Sequence, residues 1–325
     1  MISRRQFVRS IGTVGIGASA WEVAAQSWPT KPIRLLIGFS PGGGTDIVAR
    51  ALAPKMAEVL GQQIVLENKP GASGTIAADL VAKSAPDGYT LLMGHSNSNA
   101  VAPFVIKVPY QAASDFTPIT YIGYVPNVLV VHPSVQANSV TALIKLIKSK
   151  PGEMTYASSG IGSSQHLAGA LFSRIAGLQM NHVPYKGSGQ AIVDLLAGQV
   201  NMNFDTMPPV LEHIRSKKIR ALAISTPKRI PQLAEVPTFE EVGITGFDVT
   251  NWYSVMGPKG MPAEMVAKLD RAVKTAMNDP KIRATLDAQG LQSGGAATPE
   301  EFKQFLSAEL EKYARIVKDL NIRSD

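Results

Sequence analysis

Between residues 33 and 224 short apolar runs alternate with segments of helical pattern, and this alternation leaves few folds open. The runs are Ile33 to Ile37, Ile64 to Leu66, Thr90 to Met93, Val128 to Val131, Thr155 to Ala157, Met202 to Phe204 and Ala221 to Ile224. Strands separated by helices pair in parallel and put the helices on the sheet faces, so an α/β fold is expected, with parallel-rich sheets flanked by helices. The first helix shows its buried stripe at Ile47, Val48, Ala51, Leu52, Met56, Val59 and Leu60, and Gly61 supplies a left-handed stop. A second runs from about Ile76 to Lys83, after the turn Pro70 to Thr75. A new series of strand–helix units begins near Val125 and Pro126, with helices over Val140 to Ser149 and Ser164 to Ile175. The strand Asn251 to Met256 then carries the chain back. Helices follow over Ala263 to Met277, Lys281 to Ala288 and, after Thr298-Pro299-Glu300-Glu301, Phe302 to Leu320. The expected layout is a discontinuous lobe (26–125 plus 245–325) joined by two crossovers to a continuous lobe (126–244), with a cleft that a hinge can close.

The first 25 residues are set aside as an export leader of twin-arginine type. Ser3-Arg4-Arg5-Gln6-Phe7-Val8 precedes a glycine-interrupted apolar stretch from Ile11 to Ala20, and Val23, Ala24 and Ala25 offer small residues for cleavage. The stretch is too short for a bilayer, which takes about 20 apolar residues. A soluble periplasmic protein is expected. Cysteine is absent, which excludes disulfides, thiolate metal sites and cysteine nucleophiles and leaves stability to an apolar core. The net charge of +7 includes three leader arginines against one glutamate, so the mature chain is only modestly basic. Its cations are scattered, with no run that would track a phosphate backbone, and nucleic acid is not an expected partner.

The stretch Ser40-Pro41-Gly42-Gly43-Gly44-Thr45-Asp46 lies between the first strand and the first helix. Its glycines can aim several N–H groups at one point, and the helix start adds partial positive charge, a cradle for an anion such as a carboxylate. A glycine-rich turn that binds nothing has the same pattern. A second turn, Ser158-Ser159-Gly160-Ile161-Gly162-Ser163-Ser164, occupies the matching place in the other lobe, ahead of His166. The two would face each other across the cleft at the carboxyl ends of the strands, although helix capping alone also explains a serine there. Gly94-His95-Ser96-Asn97-Ser98-Asn99 forms a third polar loop at the same edge. None of these loops contains an arginine, so N–H groups rather than a guanidinium fork would hold the anion. Lys186, next to Tyr185, is the one cation so placed and either reaches the ligand or stays solvated. Asp205, ending a strand, accepts from a ligand donor or caps the turn toward Pro208 and Pro209.

Other chemistry fits less well. The third loop nearly spells a nucleophile elbow around Ser96, but Ser98 replaces the closing glycine, and His132, His166, His182 and His213 all lie too early in the chain for the usual order. The histidines show no metal-ligand spacing, and no metal or cofactor is expected. Aromatic residues are 6% of the chain, too few to favour sugars or quaternary amines, and Trp252 reads as core or hinge packing.

Several segments together resemble one family, the substrate-binding receptors of tripartite tricarboxylate transporters, also called Bug or TctC-like. They are Trp28 to Ile33, Pro41 to Asp46, Glu67 to Ala72, Ala85 to Leu92, Val183 to Gly187 and Val236 to Thr238, spread over nearly the whole mature chain. The resemblance implies a type II periplasmic-binding-protein (Venus flytrap) fold, capture of a small carboxylate (a di- or tricarboxylate or an aromatic acid), delivery to a membrane permease or a sensor kinase, and no catalysis. It carries the carboxylate site onto Gly42 to Thr45 and Ser158 to Ser164, acting largely through backbone groups and waters. The full candidate set is Ser40, Gly42, Gly43, Gly44 and Thr45; Ser96 and Asn97; Ser158, Ser159, Gly160, Gly162, Ser163, Ser164 and His166; and Tyr185, Lys186 and Asp205. A monomer is expected. The alternatives are an exported serine hydrolase using Ser96 and a regulatory effector lobe, the latter disfavoured by the leader and the missing helix-turn-helix.

Overall fold

The structure is a computed structural model and describes residues 28–292 and 296–322. The leader assigned to residues 1–25 lies outside the described residues. Nine strands, β1 (Ile33–Ile37), β2 (Ile64–Asn68), β3 (Thr90–His95), β4 (Phe116–Val131), β5 (Thr155–Ser158), β6 (Asn181–Pro184), β7 (Met202–Thr206), β8 (Arg220–Ile224) and β9 (Thr250–Pro258), run in the order β2-β1-β3-β9-β4-β7-β5-β6, with β8 also on β4. The outer strands pair in parallel, β1 with β2 and β3, and β5 with β6 and β7. At the middle β9 and β4 are antiparallel to their neighbours. β4 carries the chain between two sheets: Phe116 to Pro126 pair with β9, and Asn127 to Val131 pair with β7 and β8.

Both faces of each sheet are covered, as the unbroken apolar runs require. Ile33, Leu35 and Ile37 point into one core with Val48, Leu52 and Met56 of α1 (Gly44–Leu60), while Leu36 points into another with α2 (Thr75–Ala82) and Tyr313 of the last helix. In the second sheet Leu129 and Val131 meet α4 (Val140–Ser149) and Phe172 of α5 (Ser164–Ala176). Val128 and Val130 meet α6 (Ser188–Leu196) and α7 (Met207–Arg215). Each such fully buried side chain contributes about 1.5–3 kcal/mol. Ile244, Phe247 and Val249 share the core of Leu129 and Phe172. The C-terminal helices α8 (Ala263–Asn278), α9 (Pro280–Ala288) and α10 (Pro299–Leu320) pack on the first sheet, α10 through Phe302, Leu306, Tyr313 and Val317 at helical spacing.

The secondary structure departs from expectation where breakers or polar residues mislead. β4 starts at Phe116 rather than Val128, because register shifts flanking Ile119 and Ile122 absorb Pro118 and Gly123, the latter at φ +150°. α7 opens on Met207-Pro208-Pro209, where the missing proline N–H groups have no helical partner to lose. The loop expected over 94–99 is instead the end of β3 and a π-helical turn, Asn97–Val101, that leads into the short α3 (Ala102–Val105). Its polar residues are buried: Asn97 meets Ser159, Ser164 and Gln165 from the other half of the molecule, while Ser98 and Asn99 bond to His95, to each other and to Tyr110. Among the described residues no helix is long and apolar enough to cross a membrane.

Candidate functional site

The turn before α1 leaves backbone donors unused. Gly42, at φ +79°, donates its N–H to Asp46 Oδ2 at 3.0 Å, and Gly43 takes the cap position without a side-chain bond. The N–H groups of Gly44 and Thr45 in the first helical turn find no acceptor among the described residues. They and the helix dipole make a small positive pole without a charged side chain. Gly44 is sterically demanded as well, since a methyl there would collide with the Tyr253 hydroxyl and stand 2.8 Å from Thr206 Oγ1. Burial raises the carboxyl of Asp46, but bonds from Arg50, the Gly42 N–H and Asn68 outweigh that and hold it below the ordinary range. It is thus an anion already satisfied behind the turn.

The opposing turn before α5 is organised by serines. Ser163 caps the helix by accepting from the His166 N–H at 3.1 Å, and Ser159 Oγ donates to Gln165 Oε1 at 2.8 Å. Asn97 ties the halves together: its Nδ2 donates to Ser159 Oγ at 3.1 Å, and its Oδ1 accepts from the Ser164 N–H at 2.9 Å. Between the turns lies a cavity of about 10 Å³, room for one water. Its wall takes Gly43, Gly44 and Thr45 from the first turn and Ser159 and Gln165 from the second, with Asn97, His95, Ser188 and Thr206 adding polar groups and Phe39 and Tyr253 adding rings. No lysine or arginine is in that wall.

Asp205 stands behind this wall, fully buried. Its Oδ1 accepts from Ser188 Oγ at 2.5 Å and the Thr206 N–H at 2.7 Å, and its Oδ2 from Asn203 Nδ2 at 2.9 Å. Burial pushes its carboxyl up to about 6 despite those bonds. It therefore aims two wall residues, Ser188 and Thr206, the latter standing at the cap position of α7. Burial pushes the His95 imidazole down to about 3, so it is neutral, and its Nδ1 accepts from the Asn97 N–H at 3.0 Å.

Of the expected residues, Gly43, Gly44, Thr45, Asn97 and Ser159 form the wall and the others do not line it. Ser40 lies against Gly187, where a Cβ would come 2.6 Å from its Oγ, and Gly160 and Gly162 lie against Ser73 and Ala102 in the same way. Ser158 Oγ is 2.6 Å from His182 Nε2, and His182 stacks on His166 with ring centroids 4.1 Å apart. Ser96 and Ser164 both donate to Asn251 Oδ1. Tyr185 donates to Asp194 at 2.7 Å, and Lys186 is exposed to solvent. The wall residues that sequence reasoning missed fall into two groups. Gln165, Ser188 and Thr206 are each within two residues of a candidate position, and Phe39 and His95 adjoin the candidates Ser40 and Ser96, whereas Tyr253 sits in a strand-like run that reads as core.

A two-lobed α/β chain whose strand-to-helix turns meet across an enclosed polar cleft has the architecture of a periplasmic solute-binding protein. The family model for the tripartite tricarboxylate transporter family receptor matches residues 48–322, and the chain belongs to that family. It is 39% identical over 311 residues to Protein BugT of Bordetella pertussis, covering 95% of this chain and 94% of that one. Among solved structures it is similar to R. palustris Rpa4515 with adipate, at TM-score 0.88 and 35% identity over 91% of this chain and 100% of that one. MatC (Rpa3494) from Rhodopseudomonas palustris with bound malate matches at TM-score 0.85 and 31% identity, over 89% of this chain and 99% of the other. Members of this family are solute-binding receptors.

Proposed function

We propose that this chain is a periplasmic receptor that captures a small carboxylate, foremost a dicarboxylate, and hands it to a tripartite membrane permease. The carrying observation is the pair of unused N–H groups at Gly44 and Thr45, opening on a wall of neutral donors with no lysine or arginine. A carboxylate placed there gains hydrogen bonds to an ionised acceptor, each worth about 1.5–3 kcal/mol, without a cation to desolvate. Ser159, Asn97, Ser188 and Thr206 meet the rest of the ligand. The lobes in this reading are residues 28–125 with 250–322, and 126–249; the return crossing falls beyond Val249 rather than at the expected 244, because Phe247 and Val249 pack in the core of the second lobe. The cavity of about 10 Å³ is far smaller than malate or adipate, so the lobes part to admit the ligand and close around it less tightly. The adipate and malate seen in the two related proteins support the ligand class.

The test is calorimetry on protein that has been unfolded and refolded to strip carried-over ligand. Malate, adipate, citrate and benzoate form the panel, and saturable heat is expected with at least one dicarboxylate. Ligand at 100 times its dissociation constant adds about 2.7 kcal/mol of stability, visible as a thermal shift. A folded, ligand-free protein that binds none of them ends the proposal.

Catalysis is not part of this reading. Ser96 is completely buried, its hydroxyl donates to Asn251, and the adjacent His95 Nδ1 is already engaged by the Asn97 N–H. No ester hydrolysis is expected from either the wild type or Ser96→Ala.

A further inference from the structure

A second cavity, of about 440 Å³, opens where β4, β9 and α10 meet the segment between β8 and β9, and it shares no lining residue with the polar cleft. Its volume lies in the range of small-molecule sites. Although aromatic residues are only 6% of the chain, the fold gathers six of them on this wall: Tyr121, Tyr124, Phe239, Phe247, Trp252 and Phe305. Phe239 and Phe247 stack with centroids 3.8 Å apart, and Phe305 meets Tyr121 at 4.8 Å and Trp252 at 5.9 Å, edge to face.

The charge around these rings has one sign. Glu240, Asp248 and Glu309 line the cavity and no lysine or arginine does. Glu309 is buried, accepting from Trp252 Nε1 at 2.9 Å and from Lys312 at 3.1 Å. The same Lys312 reaches Asp248 at 3.3 Å, and Glu240 has no cationic partner among the described residues. One ammonium is therefore shared by two of the carboxylates, and the third has none.

We propose that this cavity binds a small organic cation, an ammonium group on an apolar or aromatic body. Ring faces attract a cation through their quadrupoles, and the surplus of three carboxylates over one ammonium adds a longer-range pull. A carboxylate, the ligand class of the polar cleft, would be repelled here, so the two sites select opposite charges. This inference stands independently of the carboxylate site.

The experiment titrates the purified protein with benzyltrimethylammonium and follows tryptophan emission, because Trp252 is on the wall. Saturable binding is expected, with affinity weakened about tenfold in the double variant Glu240→Gln, Asp248→Asn, from which two attracting charges are gone. Both side chains are exposed, so the fold should persist, and a thermal melt checks it. Phe305→Ala, which opens the ring wall, should weaken binding as well. No saturation up to about 10 mM, a standard binding free energy near 3 kcal/mol, would overturn the proposal. An unchanged dissociation constant in the double variant would do the same. Malate or adipate titrated into the same preparation separates failure here from failure of the carboxylate reading.

Discussion

Asp205→Asn should change how stability responds to pH while leaving the fold in place. In the native protein burial lifts the Asp205 carboxyl from its ordinary 3.8 to about 6. Between those values the native form keeps a proton that the unfolded chain has released, so raising the pH from about 4 to 6 weakens the wild type, and above that the penalty is constant. About two pH units at 1.36 kcal/mol each put the total near 3 kcal/mol. Asparagine has the same shape and no charge. Its Oδ1 can accept from Ser188 and from the Thr206 N–H, and its Nδ2 finds an acceptor if the neighbouring Asn203 amide turns over, since Asn203 Oδ1 has no partner. His95, His166 and His182 act in the opposite direction: burial lowers all three, so they add stability as pH rises toward 6.5. Subtracting one protein's urea-unfolding free energy from the other's at pH 4, 5, 6 and 7 cancels that background. The wild type should lose about 3 kcal/mol relative to the variant across the series. A difference that stays flat with pH would refute the assignment of a raised Asp205 carboxyl.

Gly44→Ala should cost at least tenfold, about 1.4 kcal/mol, in carboxylate affinity by calorimetry, because the added methyl collides with the Tyr253 hydroxyl and forces the α1 turn out of place. An unchanged affinity would remove that turn from the site. Thr298→Ala should lower stability by about 1 kcal/mol in urea unfolding, since Thr298 Oγ1 caps α10 by accepting from the Glu301 N–H at 3.2 Å. Lys186→Ala should leave carboxylate affinity within about twofold, under about 0.5 kcal/mol, as befits a solvated side chain on a surface turn. A tenfold loss on that change would mean the lysine reaches the ligand.

Much of the architecture was legible because strands buried on both faces carry continuous apolar runs, and helices show their stripe. The run Ile33 to Ile37 and the stripe Val48, Leu52 and Met56 became one side of a core as read. β4 was legible only in its second half, since Pro118 and Gly123 mimic a loop unless β9 is already beside them to absorb the register shifts. The glycine turns were visible because a strand-to-helix turn needs special backbone angles whatever the tertiary context.

The sequence by itself determined the α/β class, the helices α1, α4, α5 and α8 to α10, and the two turns at the ends of β1 and β5, because periodicity and glycine placement are local constraints. Only the tertiary structure decided which groups share the cavity. Phe39 and Tyr253 look like core from the apolar runs they belong to, and become wall only when β9 and the α1 turn are brought together. In the same way, six aromatic rings spread from residue 121 to residue 305 form one cavity because β4, β9, α10 and the segment between β8 and β9 meet there. Local pattern records what a residue's own backbone needs, but which side chains face one another depends on contacts between segments far apart in the chain.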